Sequence, residues 1–234
     1  MDRFVFPPWV NKFTLLLLGG LGAGGAYVGI MLAMGTWPDV MNTGYMPQQP
    51  VPFSHQLHAG QLKMDCRYCH NTVDVAAHAA VPSTNVCSNC HSAAPGGQVV
   101  KTAIHTNSQK LAPIRASQAT GEPVEWERIH DLADYVYFNH SIHVNRGVSC
   151  VECHGRIDTM EVVYQAKSLS MSWCLECHRN PEGRMRPKSE ITNLNWEWQD
   201  SFESHEQYIN AIRDEYSVDG KPIRASTNCS TCHR

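Results

Sequence analysis

No cysteine in this chain stands alone, no strand-like alternation runs through it, and no excess of basic charge is present. Lysine and arginine total 19 against 22 aspartate and glutamate, so the basic footprint of a nucleic-acid-binding protein is missing. Without long runs of alternating apolar and polar residues, a sheet fold has no sequence basis. Charged residues make up only 18% of the chain, and the mean hydropathy is -0.34. These values describe a soluble portion with one apolar segment attached. At 234 residues the chain holds one domain or two small ones.

The apolar segment runs from Phe13 to Pro38 without a charged residue. A helix needs about 20 mostly apolar residues to cross the hydrocarbon core of a bilayer, and this run is long enough. Arg3 and Lys12 precede it, no lysine or arginine follows until Lys63, and Trp9 and Trp37 stand at its two ends. The positive-inside rule then places the N-terminus in the cytoplasm and everything after Trp37 outside. A cleaved signal peptide is the rival, with Ala33-Met34-Gly35 as a small-residue site. Its apolar core is ordinarily about 7–15 residues, shorter than this run, so we expect a retained anchor. Gly20 and Gly24, and again Gly25 and Gly29, are spaced for close approach of another membrane helix. The expected organisation is a cytoplasmic N-terminus (1–12), a transmembrane helix (13–37) and an external domain (38–234).

All ten cysteines fall into five copies of one motif. They are Cys66-Arg67-Tyr68-Cys69-His70, Cys87-Ser88-Asn89-Cys90-His91, Cys150-Val151-Glu152-Cys153-His154, Cys174-Leu175-Glu176-Cys177-His178 and Cys229-Ser230-Thr231-Cys232-His233. C-x-x-C-H is the attachment signature of c-type haem. Two thiols three residues apart bond the two vinyl groups of one porphyrin, and the histidine that follows becomes the proximal iron ligand. Zinc ribbons pair two C-x-x-C knuckles at one metal and need no histidine after each. A disulfide scaffold has varied spacings, not one fixed spacing repeated. We therefore expect five covalently bound haem c groups, with His70, His91, His154, His178 and His233 on iron.

Each iron has a second axial position, and eight histidines lie outside the motifs. An internal repeat selects four of them. Phe53-Ser54-His55-Gln56-Leu57-His58 precedes the first motif, and Phe138-Asn139-His140-Ser141-Ile142-His143 precedes the third. Histidines at i and i+3 share a helix face, so each pair can serve two haems held close together. For the fifth position His130, His78 and Met171 compete, methionine being the ligand that raises a haem potential. We assign it to His130. His105 and His205 lie in polar stretches and read as surface residues.

After the anchor, only about 40 residues are available per motif. That is too little for a conventional aliphatic core, so the porphyrins are expected to supply it. Gly and Pro clusters such as Ala94-Pro95-Gly96-Gly97 break the chain often. The expected fold is mainly irregular with short α-helices, a haem-cored multihaem cytochrome c domain behind one N-terminal transmembrane helix. Residues 92–125 read as a loop, a helix is expected near Phe202 to Tyr216, and the last motif is expected to lie apart from the other four. Trp196 and Trp198 are expected to pack against a haem edge or to anchor a partner.

Three stretches carry a family resemblance. They are Gly44-Tyr45-Met46-Pro47-Gln48-Gln49-Pro50-Val51-Pro52-Phe53 leading into the first histidine pair and motif, Trp126-Glu127-Arg128-Ile129-His130-Asp131-Leu132 leading into the second pair, and Met171-Ser172-Trp173 leading through the fourth motif to Arg179-Asn180-Pro181. They resemble the pentahaem cytochrome c subunits (ActA) of alternative complex III, a quinol:electron acceptor oxidoreductase of respiratory chains. The F-x-H-x-x-H arrangement also resembles the class III multihaem cytochromes c. In that family the first histidine ligates the haem of its own module and the second a neighbouring haem, which implies distal roles for His55, His58, His140 and His143. The likeness implies electron transport from menaquinol to a periplasmic carrier or terminal oxidase, on the periplasmic side of the inner membrane. Implied partners are an iron–sulfur subunit related to molybdopterin enzymes, quinol-binding membrane subunits, a monohaem cytochrome c and membrane lipid, with no nucleic acid.

Two other functions compete. A multihaem reductase of nitrite or another small oxyanion needs an iron with an open coordination site, and no motif here replaces its histidine by lysine. A membrane-anchored quinol dehydrogenase is compatible with the histidine pairs. Neither accounts for the three stretches above. The chain therefore reads as an electron-transfer subunit and not as a catalyst by itself.

Overall fold

A computed structural model describes residues 5–37, 40, 42–92 and 103–233. The chain divides into two compact units, Met1–Asn42 and Thr43–Arg234. The first is built on helix α1, Pro8–Gly35, 28 residues long, none of them buried. At 1.5 Å per residue it measures about 42 Å, beyond the roughly 30 Å of a hydrocarbon core. The helix begins five residues before Phe13 because Pro8 sits in its first turn, where a missing N–H costs nothing. Space beside Gly20, Gly24, Gly25 and Gly29 is open.

The second unit is mainly irregular with short helices, as the repeated breakers imply. Among its described residues there is no strand, only two isolated bridges, Val136 with His233 and Val148 with Met185. Every motif forms a short helix: α2 (Cys66–Cys69) and α3 (Thr84–His91) in the first half. After α4 (Ala112–Thr120) and α5 (His140–Asn145) come α6 (Cys150–His154), α7 (Met171–Arg179), α8 (His205–Tyr216) and α9 (Cys229–Cys232). Asp65, Ser83, Ser149, Ser170 and Asn228 precede the five motif helices, and all are residue types that favour a helix N-terminus. Asp65 accepts a bond from the Arg67 N–H, and Ser170 from the Trp173 N–H.

Three expectations are corrected. Helix α4 lies within the stretch read as a loop. Pro113 opens it and Gly121, left-handed at φ +79°, closes it. These two residues are the start and stop signals of a helix rather than breakers of a loop. Secondly, Trp196 is only 5% exposed and belongs to an aromatic core with Met185, Tyr208, Ile212 and Tyr216, with Trp198 packed on it. Its indole N–H donates to Ser201 Oγ at 2.9 Å, and the Arg186 guanidinium lies over its ring at 5.3 Å. Large rings bury so much area per residue that a short segment makes its own aromatic core. Thirdly, the last motif does not stand apart. Tyr137 N–H donates to Cys232 O at 2.8 Å beside the Val136–His233 bridge.

This aromatic core braces the motif helices. Gly147, between α5 and α6, has φ +83°, and a Cβ there would meet the Tyr216 ring at 2.7 Å and Arg186 O at 2.8 Å. Only glycine meets both demands. Glu182 ties α8 to the chain before the last motif. Its carboxylate accepts from Arg213 Nε at 2.9 Å, Arg213 Nη2 at 2.7 Å and the Ile223 N–H at 2.7 Å. Arg213 holds the Glu182 carboxyl below the ordinary 4.5.

Ile212 is 0% exposed. Ile212→Ala should cost about 3 kcal/mol, read as a lower urea midpoint by far-UV circular dichroism. Because the folded Glu182 carboxyl titrates lower than the unfolded one, its stabilisation is present above pH 4.5 and is lost as pH falls through the lower folded value. Glu182→Gln should accordingly lower Tm at pH 7 and flatten the fall of Tm with acid. An unchanged acid limb would mean that the Arg213 pair does not contribute.

Candidate haem-binding site

Two copies of one small device carry the paired histidines. In the first, the Phe53 ring meets His55 edge-on at 4.9 Å and 86° and stacks on His58 at 4.3 Å and 25°. In the second, Phe138 meets His140 at 4.8 Å and 87° and stacks on His143 at 4.5 Å and 27°. The phenylalanine therefore sets both ring orientations, and the residue after it supplies a carbonyl. His58 Nδ1 donates to Ser54 O at 2.8 Å, and His143 Nδ1 to Asn139 O at 2.8 Å. The backbone differs between the copies: a π-helical turn, Gln56–Gln61, in the first and α5 in the second. In the first, Gly60 approaches Asp158 O so closely that a Cβ would overlap it.

The motif histidines are held in the same manner. Nδ1 of His70 donates to Ala80 O at 2.8 Å, that of His91 to Ile104 O at 2.9 Å, and that of His178 to Ser226 O at 2.5 Å. His233 Nδ1 reaches Tyr135 O at 3.3 Å, and His140 Nδ1 donates to Ala77 O at 2.8 Å. A carbonyl can only accept, so each ring keeps its proton on Nδ1 and presents the Nε2 lone pair. This is the tautomer a metal-ligating imidazole adopts.

The rings also face one another in pairs. His58 and His91 have centroids 6.2 Å apart, His140 and His154 6.4 Å, and His143 and His178 6.1 Å. Two imidazoles trans on one metal, each with a bond of about 2 Å, have centroids about 6 Å apart. His70 lies near enough to His55 to act on it: burial, then the charges of His70 and His58, pushes the His55 imidazole down to about 4. Burial, followed by the His130 and His140 charges, pushes His154 down to about 3. Neutral imidazole is the ligating form. Paired thiols on one helical turn, proton-locked histidines and ring pairs at this separation fit haem c.

The thiols of successive motifs adjoin. Cys66 and Cys150 hydrogen-bond to each other, which lowers the first thiol and raises the second. Burial, and then the neighbouring Cys87, raises Cys69. Burial pushes Cys153 up to about 12, with Glu152, Cys177 and Cys174 adding to it. Burial and then Cys232 raise Cys174. Contacts also join neighbouring motif segments directly: Asn89 Nδ2 donates to Tyr68 OH at 3.2 Å, and His178 Nδ1 to Ser226 O, just before the fifth motif. Cys90, Cys177 and Cys229 complete the pairs.

The candidates for the fifth distal position are placed as follows. The His130 ring lies edge-on to His154 at 4.4 Å and 78°, too close for the two to be trans on one iron, and its Nε2 is 3.3 Å from His154 Nδ1. Met171 is 67% exposed at the start of α7, and His78 is exposed. His105, read from sequence as a surface residue, has its ring 6.5 Å from His91 and 26° from parallel. Only its nearness to the second motif, fourteen residues on from His91 with a positive-φ backbone, could have pointed to it. His205 is a helix-start residue against Trp198 and Tyr208.

Comparison with known families agrees with this geometry. Residues 33–120 match the class III cytochrome c family and residues 136–234 match cytochrome c7 and related cytochromes c. The chain carries multihaem cytochrome c domains. The cofactor these families imply is covalently bound haem c. A relative from Nitratidesulfovibrio vulgaris, the multihaem cytochrome c subunit of menaquinone reductase, is 29% identical over 137 residues. The match covers 57% of this chain and 59% of that protein, so the chain spans about three-fifths of its relative's length.

Phe138→Leu removes the ring that stacks on His143 and should cost about 1 kcal/mol of stability. Thermal denaturation of the haem-loaded protein measures it, and an unmoved Tm would show that the ring is not holding the histidine.

Proposed function

We propose that this chain is the pentahaem electron-transfer subunit of a quinol:electron acceptor oxidoreductase of the alternative complex III type. Its anchor helix holds it in the inner membrane and its haem domain faces the periplasm. Haem c supplies reversible one-electron chemistry at its iron. Each C-x-x-C-H segment binds one haem, with His70, His91, His154, His178 and His233 proximal. His55, His58, His140 and His143 serve as distal ligands opposite the first, second, third and fourth of these. The observation that carries the reading is the run of histidine pairs across the motifs, His58 with His91, His140 with His154 and His143 with His178. Such a succession suits conduction between two ends.

The partners proposed are quinol-binding membrane subunits, an iron–sulfur subunit related to molybdopterin enzymes, and a monohaem cytochrome c. Electrons leave to a periplasmic carrier or terminal oxidase. A second reading reverses the flow. The relative's name describes a menaquinone reductase, so the same succession of sites would carry electrons inward to quinone. One experiment separates these. Membranes extracted in mild detergent should yield the chain in a larger assembly, whose haem absorption changes to the reduced form when a menaquinol analogue is added. Reduction only by a reduced periplasmic cytochrome would favour the reverse direction. A chain recovered alone, with no response to quinol or quinone, would defeat both.

His143→Ala should leave one low-spin haem without its sixth ligand. Electron paramagnetic resonance should then show a single new high-spin signal, and an unaltered spectrum would remove His143 from the ligand set.

A further inference from the structure

Among the motif histidines whose Nδ1 partner is described, four use a main-chain carbonyl: Ala80, Ile104, Ser226 and Tyr135. His154 differs. Its Nδ1 faces a side chain, the Nε2 of His130, at 3.3 Å. We propose that His130 is a positioning residue that accepts the Nδ1 proton of His154 and so sets the potential of the third haem. This rests on the haem reading above.

The two rings can be assigned from the chemistry. His154 and His140 lie 6.4 Å apart with 11° between their planes; with Nε2 of His154 given to the iron between them, its ring proton sits on Nδ1. The atom facing it must accept, so His130 keeps its own proton on Nδ1 and offers Nε2. His130 is therefore committed away from any iron at that nitrogen. Its position is held from outside. The Gln49 side-chain amide donates to Glu127 O at 2.9 Å and its oxygen accepts from the Glu127 N–H at 3.0 Å. That clamp fixes the segment three residues before His130.

An imidazole nitrogen is a stronger acceptor than a peptide carbonyl, and it pulls the His154 proton towards itself. The His154 ring becomes more electron-rich, which favours the ferric iron. The carbonyls at the other four sites cannot be removed by substitution. At the third site the partner is a side chain, which substitution can exchange.

The test is redox titration of the full-length haem-loaded protein with three variants at one position. His130→Leu removes the acceptor. It should raise the potential of one haem, shifting its oxidised-to-reduced ratio about tenfold at fixed ambient potential, or about 59 mV for one electron. His130→Gln replaces the imidazole by an amide oxygen, a weaker acceptor, and should raise the potential of that haem by less than His130→Leu does, and His130→Glu should shift the same haem the other way. All iron should stay low-spin. If His130→Leu does not mature, the opposed shifts of the Gln and Glu variants carry the same comparison. Five unmoved potentials with full haem content would overturn the inference and leave the haem reading standing. A new high-spin signal in His130→Leu would overturn it too, by making His130 an iron ligand. A wild-type chain without haem would end both.

Discussion

An imidazole has one lone pair to give, and a protein that wants a metal on Nε2 must keep the proton on Nδ1. Here the main chain does that work. His58, His70, His91, His140, His143, His178 and His233 each direct Nδ1 at a backbone carbonyl. Each bond fixes a tautomer and a ring plane together. It also dictates where the chain must pass, because the carbonyl has to arrive beside the ring. Much of the irregular backbone between motifs is accounted for by this demand: residues 77–80, 104, 135 and 226 are loop positions that deliver an acceptor.

The same constraint explains the ring pairs. A histidine held at both its Cβ and its Nδ1 cannot turn away from its partner, and separations near 6 Å follow at His58–His91, His140–His154 and His143–His178. Such preorganisation resists the reorientation that would otherwise accompany a change in iron charge. The small aromatic core around Ile212 stabilises this arrangement from one side, through Tyr216 against Gly147 and Glu182 against the Ile223 N–H. It contains no cysteine and no motif histidine.

What could be read from the sequence was whatever repeats or caps. The five motif helices, their preceding Asp, Ser and Asn residues, the two F-x-H-x-x-H devices and the amphipathic helix α8 all leave local signals. Carbonyl acceptors leave none, since every residue type carries one; nothing marks Ala77 or Ser226 in the sequence. Helix α4 was misjudged because Pro113 and Gly121 look like breakers unless their order is weighed. Trp196 was misassigned because its partners, Arg186 and Tyr208, approach only through the fold. The contact of His130 with His154 leaves no local signal either: at 3.3 Å it joins residues 24 apart in sequence.

Everything above depends on five thioether-bonded haems being carried on histidine-held sites. Pyridine haemochrome absorbance against protein concentration, with iron and zinc measured on the same sample, tests that directly. The account predicts five haems per chain, matching iron and no zinc. Markedly fewer haems, or zinc in their place, would contradict it.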